Sequence, residues 1–159
     1  MADRSVTHAT FTIERTYPVP PARVFQAFAD PATKAQWFAA PEEWGPEEHD
    51  MDFRVGGTET SRGGPVGGPV HTFRAYYWDI VPDERIVYSY DMHLDDVRIS
   101  VSLSTVELRA AGDGTRLIYT EQGAFLDGHD SPTGREHGTR ELLDALGRML
   151  ERTARQEVS

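Results

Sequence analysis

At 159 residues the chain is long enough to bury a sizeable core in one domain spanning 1–159, and no apolar run within it is long enough to cross a bilayer. Its 26 acidic residues against 16 basic ones give a formal charge of -10, which argues against the basic face that nucleic acid requires. The absence of cysteine excludes disulfide and thiolate chemistry, and the opening MADRSVTHAT lacks the apolar core of a signal peptide, so a cytoplasmic protein is expected.

In HATFTIERTY the residues Phe11, Ile13, Arg15 and Tyr17 take one parity and Thr10, Thr12, Glu14 and Thr16 the other, which predicts a half-buried strand. Pro20 and Pro21 then suit a first helical turn, with Val24, Phe25 and Phe28 on one face. Asp30 followed by Pro31 predicts a cap and the start of a second short helix, ending near Trp37 and Phe38. PEEWGPEE reads as a loop, and EHDMDFRV as a strand with Met51, Phe53 and Val55 on one parity.

The stretch RVGGTETSRGGPVGGPVH, Arg54 to His71, carries six glycines. A phosphate-binding loop needs a fixed glycine spacing, a helix after it and usually a lysine. Neither G-x-G-x-x-G nor G-K-[ST] occurs here, and the next segment is strand-like, so the glycines are expected to join strand to strand near a cavity opening, with TETS as a brief return strand. VHTFRAYYWDIV is predicted as a strand ending at Pro82. RIVYSYDMHL sets Ile86, Tyr88, Tyr90 and Met92 on one face. In VRISVSLSTVEL, Val97, Ile99, Val101 and Leu103 alternate with Arg98, Ser100, Ser102 and Ser104, which predicts an apolar inner face and an exposed Arg98. GDGT is a hairpin turn in which Asp-Gly tolerates positive φ, and TRLIYTEQGAF closes the sheet.

Beyond LDGHDSPTG, a last helix carries Leu142, Leu143, Leu146, Met149 and Leu150 as an apolar stripe. Thr133 and Glu136 have capping-box spacing, and Glu136–Arg140 and Asp144–Arg148 are spaced as i,i+4 ion pairs. Gly138 and Gly147 interrupt good helix formers, which suggests close approach to another element. One strand, two short helices, a run of antiparallel strands and a long final helix give an α+β architecture. A curved sheet would bury the helix stripe on its concave face.

In this order, FTIERTYPVPPARVFQAFADPATKAQWF, DFRVGG, YYWDIVPDERIVYSY, GDGTRLIYTEQGAF and HGTRELLDALGRML resemble the START/Bet v 1-like (SRPBCC) superfamily. Within it, they are similar to the bacterial branch related to the C-terminal domain of the activator of Hsp90 ATPase. The resemblance implies a helix-grip fold: a curved antiparallel sheet wrapped round a long C-terminal helix, with two short helices after the first strand and a cavity between sheet and helix. Thr139 departs from the pattern, since many relatives carry tryptophan there. The eukaryotic activators also carry a further N-terminal domain, for which this chain leaves no room.

The acidic clusters EEHD (47–50), DMHLDD (91–96) and DGHD (127–130) lack the spacing that defines a metal site, so no metal and no cofactor is expected. No G-x-S-x-G supports a hydrolase. The aromatic residues Trp37, Phe53, Tyr76, Trp78, Tyr88, Tyr90 and Tyr119, with Leu142, Leu146 and Met149 from the helix, are the candidate lining of a ligand cavity. Glu121 shares parity with Leu117 and Tyr119, which makes it a candidate buried carboxylate with a raised pKa, able to orient a ligand or act as general base, and Arg15 its candidate partner. The leading expectation is binding of a small, mostly apolar or aromatic molecule. A polyketide-cyclase-like or hydrolase-like enzyme using the same cavity is the alternative, and an Hsp90-type chaperone partner the third reading. No nucleic acid and no membrane is expected as a partner, and a homodimer stays open.

Overall fold

The computed structural model describes residues 4–158. In chain order it contains β1 (Val6–Tyr17), α1 (Pro21–Ala29), α2 (Pro31–Lys34), a 3-10 turn (Glu42–Trp44), β2 (Glu48–Met51), β3 (Thr58–Gly63), β4 (His71–Val81), β5 (Arg85–Leu94), β6 (Val97–Ala111), β7 (Gly114–Leu126) and α3 (Pro132–Val158). The strands form one seven-stranded antiparallel sheet in the order β1-β7-β6-β5-β4-β3-β2. Strands β2 to β7 run as a meander, and β1 closes the far edge against β7. Register shifts between Tyr77 and Asp79 and between Met92 and His93 mark bulges, which increase local twist and curl the sheet. The result is the α+β helix-grip fold, with α3 held against the sheet and α1 and α2 covering one end.

Local chemistry explains the short elements. Pro20 precedes α1 and Pro21 opens it, and the helix buries Val24, Ala27 and Phe28. Asp30 caps α2 by accepting from the Thr33 amide at 3.0 Å and the Thr33 hydroxyl at 2.6 Å. TETS, in β3, is a full pairing strand between β2 and β4. The glycine-rich segment from 64 to 70 joins strand to strand, with the left-handed φ of 76° at Gly67. The β6–β7 turn takes its positive φ at Gly112, one residue before the Asp-Gly pair.

Three expectations about α3 and its neighbours change. The helix cap is Ser131, whose hydroxyl accepts from the Gly134 amide at 3.0 Å, so the helix starts at Pro132 and Thr133 lies inside its first turn. Glu136 pairs with Arg140 at 2.8 Å as expected. Asp144, however, is taken by Arg15 at 2.8 Å, which ties β1 to α3 and removes Arg15 as a partner for Glu121. Gly147 approaches Tyr17: a Cβ there would stand 3.1 Å from the ring, and the Tyr17 hydroxyl donates to the Leu143 carbonyl at 2.8 Å. Gly138 meets nothing within 4 Å and faces open space instead.

The core gathers Ile13, Val24, Val106, Leu117, Leu146 and Leu150, all essentially inaccessible. Strand β6 carries the main reversal. Ser100, Ser102 and Ser104 are buried, whereas Val97, Val101 and Leu103 face solvent, and Arg98 is exposed as expected. Ile99 is buried as expected, because the bulge opposite Met92 and His93 breaks the alternation there; from Ser100 onward the alternation marked two faces but not which is inner. Register with β7 decides it: Ser104 lies opposite Glu121 and Ser102 opposite Gly123, whose neighbours Tyr119 and Phe125 are buried. Small inward side chains leave room between sheet and helix for the long polar groups described next.

Candidate ligand-binding site

A cavity of about 370 Å³ lies between the sheet, the amino-terminal half of α3 and the segment after α2. Its volume falls in the usual range of small-molecule sites. The sheet contributes Ser61, Phe73, Tyr88, Tyr90, Met92 and Tyr119. The helix contributes Arg135, Gly138, Thr139, Leu142 and Leu143, one face in 3.6-residue phase. The third wall, Lys34, Trp37, Phe38, Trp44 and Glu47, follows from α2 and the 3-10 turn. Gly63 and His71, the two ends of the glycine-rich connection, also line it.

Aromatic packing makes the walls continuous. Trp37 is fixed by its indole N–H donating to the Ala27 carbonyl at 2.9 Å and by an edge contact with Phe28. Phe38 packs on Phe73 at 5.2 Å, Phe73 on Tyr90 at 4.9 Å, and Tyr90 beside Tyr88 at 6.0 Å. Trp44 lies over the His71 ring at 4.8 Å near the mouth. Edge and tilted contacts of this kind hold rings in place and present their faces to the space between them.

Two buried polar networks flank these rings. In the first, Glu121 accepts from the hydroxyls of Tyr119 at 2.6 Å and Tyr90 at 2.8 Å and pairs with Arg135 at 3.3 Å. Arg135 also donates to Tyr90, to Ser100 at 2.7 Å and to Asp130 at 2.8 Å, and lies over the rings of Tyr90 and Phe125. Burial, reinforced by the Glu121 charge, holds the Tyr90 and Tyr119 hydroxyls well above the ordinary tyrosine range, so both are proton donors at neutral pH. In the second network Glu59 accepts from Lys34 at 2.6 Å, from the Tyr77 hydroxyl, and interacts with His49 at 2.9 Å. Burial alone would raise the Glu59 carboxyl, but the Lys34 ammonium and the converging donors outweigh it and hold the group below its ordinary value. Burial in turn lowers Lys34.

The candidate residues divide. Trp37, Tyr88, Tyr90, Tyr119 and Leu142 line the cavity. Glu121 is inward, as its parity indicated, but fully buried behind Tyr90 and Tyr119, so it positions groups that reach the cavity and does not itself face it. Tyr76 and Trp78 stand on the outer face of the sheet, because Phe73, Ala75 and Tyr77 take the inner parity of β4. Phe53 packs in the core between Phe25 and Tyr77, at 5.6 and 5.0 Å. Leu146 and Met149 also belong to the core; the cavity touches only the earlier turns of α3, up to Leu143.

Sequence reasoning missed Lys34, Glu47, Glu59 and Arg135. A signal existed for two of them. Glu59 lies opposite Ala75 in the register, so an inward Phe73 and Tyr77 imply an inward Glu59. Arg135 precedes Thr139, Leu142 and Leu143 by four, seven and eight residues, in phase with the apolar stripe. Two of the three acidic clusters are held in ion pairs with arginine, and Glu47 of EEHD lines the cavity. Asp91 pairs with Arg74 and Arg98, and Asp127 with Arg4, while Asp130 holds Arg135. No group of three metal-binding side chains occurs among the described residues. No helix among them is long and apolar enough to cross a membrane.

Comparison with known proteins places this geometry. No curated protein matches the chain. Among solved structures, the Mll3558 protein from Rhizobium loti is 57% identical, with a TM-score of 0.85 over 91% of this chain and 99% of that one. An uncharacterized protein from Rhizobium leguminosarum is 46% identical, with a TM-score of 0.90 over 95% and 99%. DynU16, a protein in the dynemicin biosynthetic locus, shares the fold alone, at 17% identity and a TM-score of 0.63 over 89% of this chain and 47% of that one. Residues 18–151, from the end of β1 through most of α3, match the family described as activator of Hsp90 ATPase homolog 1-like protein, and the chain belongs to that family, within the SRPBCC fold.

Proposed function

We propose that the protein binds a small, mostly apolar or aromatic molecule in the cavity between the sheet and α3. One observation carries this: an aromatic-walled space of about 370 Å³ remains open beside a core whose side chains are closely buried. Its few polar groups, chiefly Tyr90, Tyr119, Thr139 and Arg135, are held by neighbours and would orient a bound molecule without reorganising. The fold supports the reading, since SRPBCC domains commonly hold ligands in this space. A native mass spectrum of freshly purified protein is expected to show a bound small molecule that is lost on denaturation. Uniformly empty protein, which also fails to take up any apolar probe, would count against it.

A second reading, attachment of a partner protein, draws on the outer face of the sheet. Tyr76 and Trp78 are in ring contact there at 4.5 Å and largely exposed, and Ser89, which accepts from the Trp78 indole, connects them in register to exposed Leu103. The family description names a homolog of an Hsp90 ATPase activator, which fits a partner of that type. Tyr76→Ser with Trp78→Ser would abolish partner capture under this reading and leave ligand uptake intact.

A further inference from the structure

Formal charges around the cavity do not balance. Two cations, Lys34 and Arg135, stand among four carboxylates, Glu47, Glu59, Glu121 and Asp130. Lys34 is committed to Glu59, and Arg135 is shared between Glu121 and Asp130. Glu47 is left with neutral donors only, the Ala40 amide at 3.0 Å and the Ser61 hydroxyl, and forms no ion pair among the described residues. Its lone pairs are partly satisfied, but its charge is not compensated. It lines the cavity along with Trp44, His71 and Phe73, while the Phe38 ring, also in the wall, already carries the Lys34 ammonium at 4.7 Å. The tyrosines that share the space keep their protons, so they add hydroxyls and π-faces but no charge. The chain as a whole is at -10, and low-dielectric walls concentrate a negative potential inside such a cleft.

An uncompensated carboxylate beside several aromatic faces is the chemistry that recognises an organic cation, through an ion pair and cation–π attraction together. An anionic ligand would meet the opposite: it must enter beside Glu47 and Asp130, and both nearby cations already have carboxylate partners. We infer that the cavity selects a ligand that carries a protonated amine or quaternary ammonium on an aromatic or apolar frame, with the cationic group placed at Glu47. This rests on the ligand-binding reading above and specifies its substrate class.

Three probes of one shape test it: 1-naphthylmethylamine, uncharged 1-naphthylmethanol and 1-naphthoate, titrated calorimetrically at about pH 8, where the amine is protonated. The amine is expected to bind about tenfold or more tightly than the alcohol, and the naphthoate most weakly. Glu47→Gln keeps an acceptor for Ser61 or Ala40 and, with an unchanged circular dichroism melt, should bring the amine to within about threefold of the alcohol while leaving alcohol affinity as it was. Equal binding of amine and alcohol, a preference for naphthoate, or an amine preference that survives Glu47→Gln would overturn the inference and leave the cavity reading standing. Failure of all three probes to bind would overturn both.

Discussion

Lys34 and Glu59 form an ion pair at 2.6 Å with almost no solvent exposure, deep beside the cavity. Removing one partner strands the other, so Lys34→Met or Glu59→Gln should each cost about 3–5 kcal/mol in urea denaturation. Removing both, as Lys34→Met with Glu59→Met, should recover most of that loss, because two desolvated charges disappear together. Single and double variants that lose stability additively would contradict a coupled pair. Acid should act on the same group. The folded pKa of Glu59 is depressed, so its contribution is present above its ordinary value near 4.3 and is lost as pH falls through the lower folded one. The tyrosines give the opposite sign. Burial raises Tyr17, Tyr77, Tyr88, Tyr90 and Tyr119, so their contribution is whole below about pH 10 and is lost as pH rises further. Lys34, held low by burial, pulls the other way, but it is one group against five. Absorbance near 295 nm should therefore show most tyrosines ionising together with alkaline unfolding; independent ionisation of these five near pH 10 in folded protein would refute their burial.

Helix α3 does two jobs along its length, and its glycines report them. Gly147 packs against a Tyr17 ring anchored by its hydroxyl to Leu143, so the ring has little freedom to give way. Gly147→Ala should lower the unfolding midpoint despite alanine's better helix propensity. Gly138 faces open space, so Gly138→Ala should stabilise by up to about 1 kcal/mol. Reversed signs would place the cavity on the wrong stretch of helix. Leu143, Leu146, Met149 and Leu150 are almost wholly buried, each worth roughly 1.5–3 kcal/mol, so deleting residues 134–159 should leave a chain without a cooperative melt. The helix stripe, the helix start at Pro20 and Pro21, the cap at Asp30 and the strands from β4 to β7 were legible because periodicity and turn chemistry are local. The inward parity of β6 was not. Ser100, Ser102 and Ser104 look like a solvent face until register with β7 sets them against buried neighbours, and register is a property of the whole sheet. Tyr76 and Trp78 were misplaced for the same reason: aromatic character is equal on both faces, and only cross-strand pairing separates Tyr77 from its neighbours.

At the scale of the molecule, the family resemblance and the order of elements were readable from the chain, and so were five of the residues that line the cavity. The polar networks were not, because each joins separate segments of the chain: Glu59 to Lys34 and His49, and Arg135 to Glu121 and Ser100. Leu146 illustrates the limit. It lies on the expected stripe, yet it belongs to the packed core, and the residue whose enlargement would fill the cavity is Gly138, which carries no side chain to suggest it. That residue also provides the most direct test of the central claim that the space between sheet and helix takes up an apolar molecule. The measurement is a fluorescence titration with N-phenyl-1-naphthylamine, an uncharged apolar probe, on the natural chain, on Gly138→Phe and on Trp78→Ser. Saturable one-to-one binding to the natural chain and to Trp78→Ser, with binding weakened at least about tenfold by Gly138→Phe, is the predicted result. Binding that is unchanged in a folded Gly138→Phe protein but lost in Trp78→Ser would contradict the claim and place recognition on the outer face of the sheet.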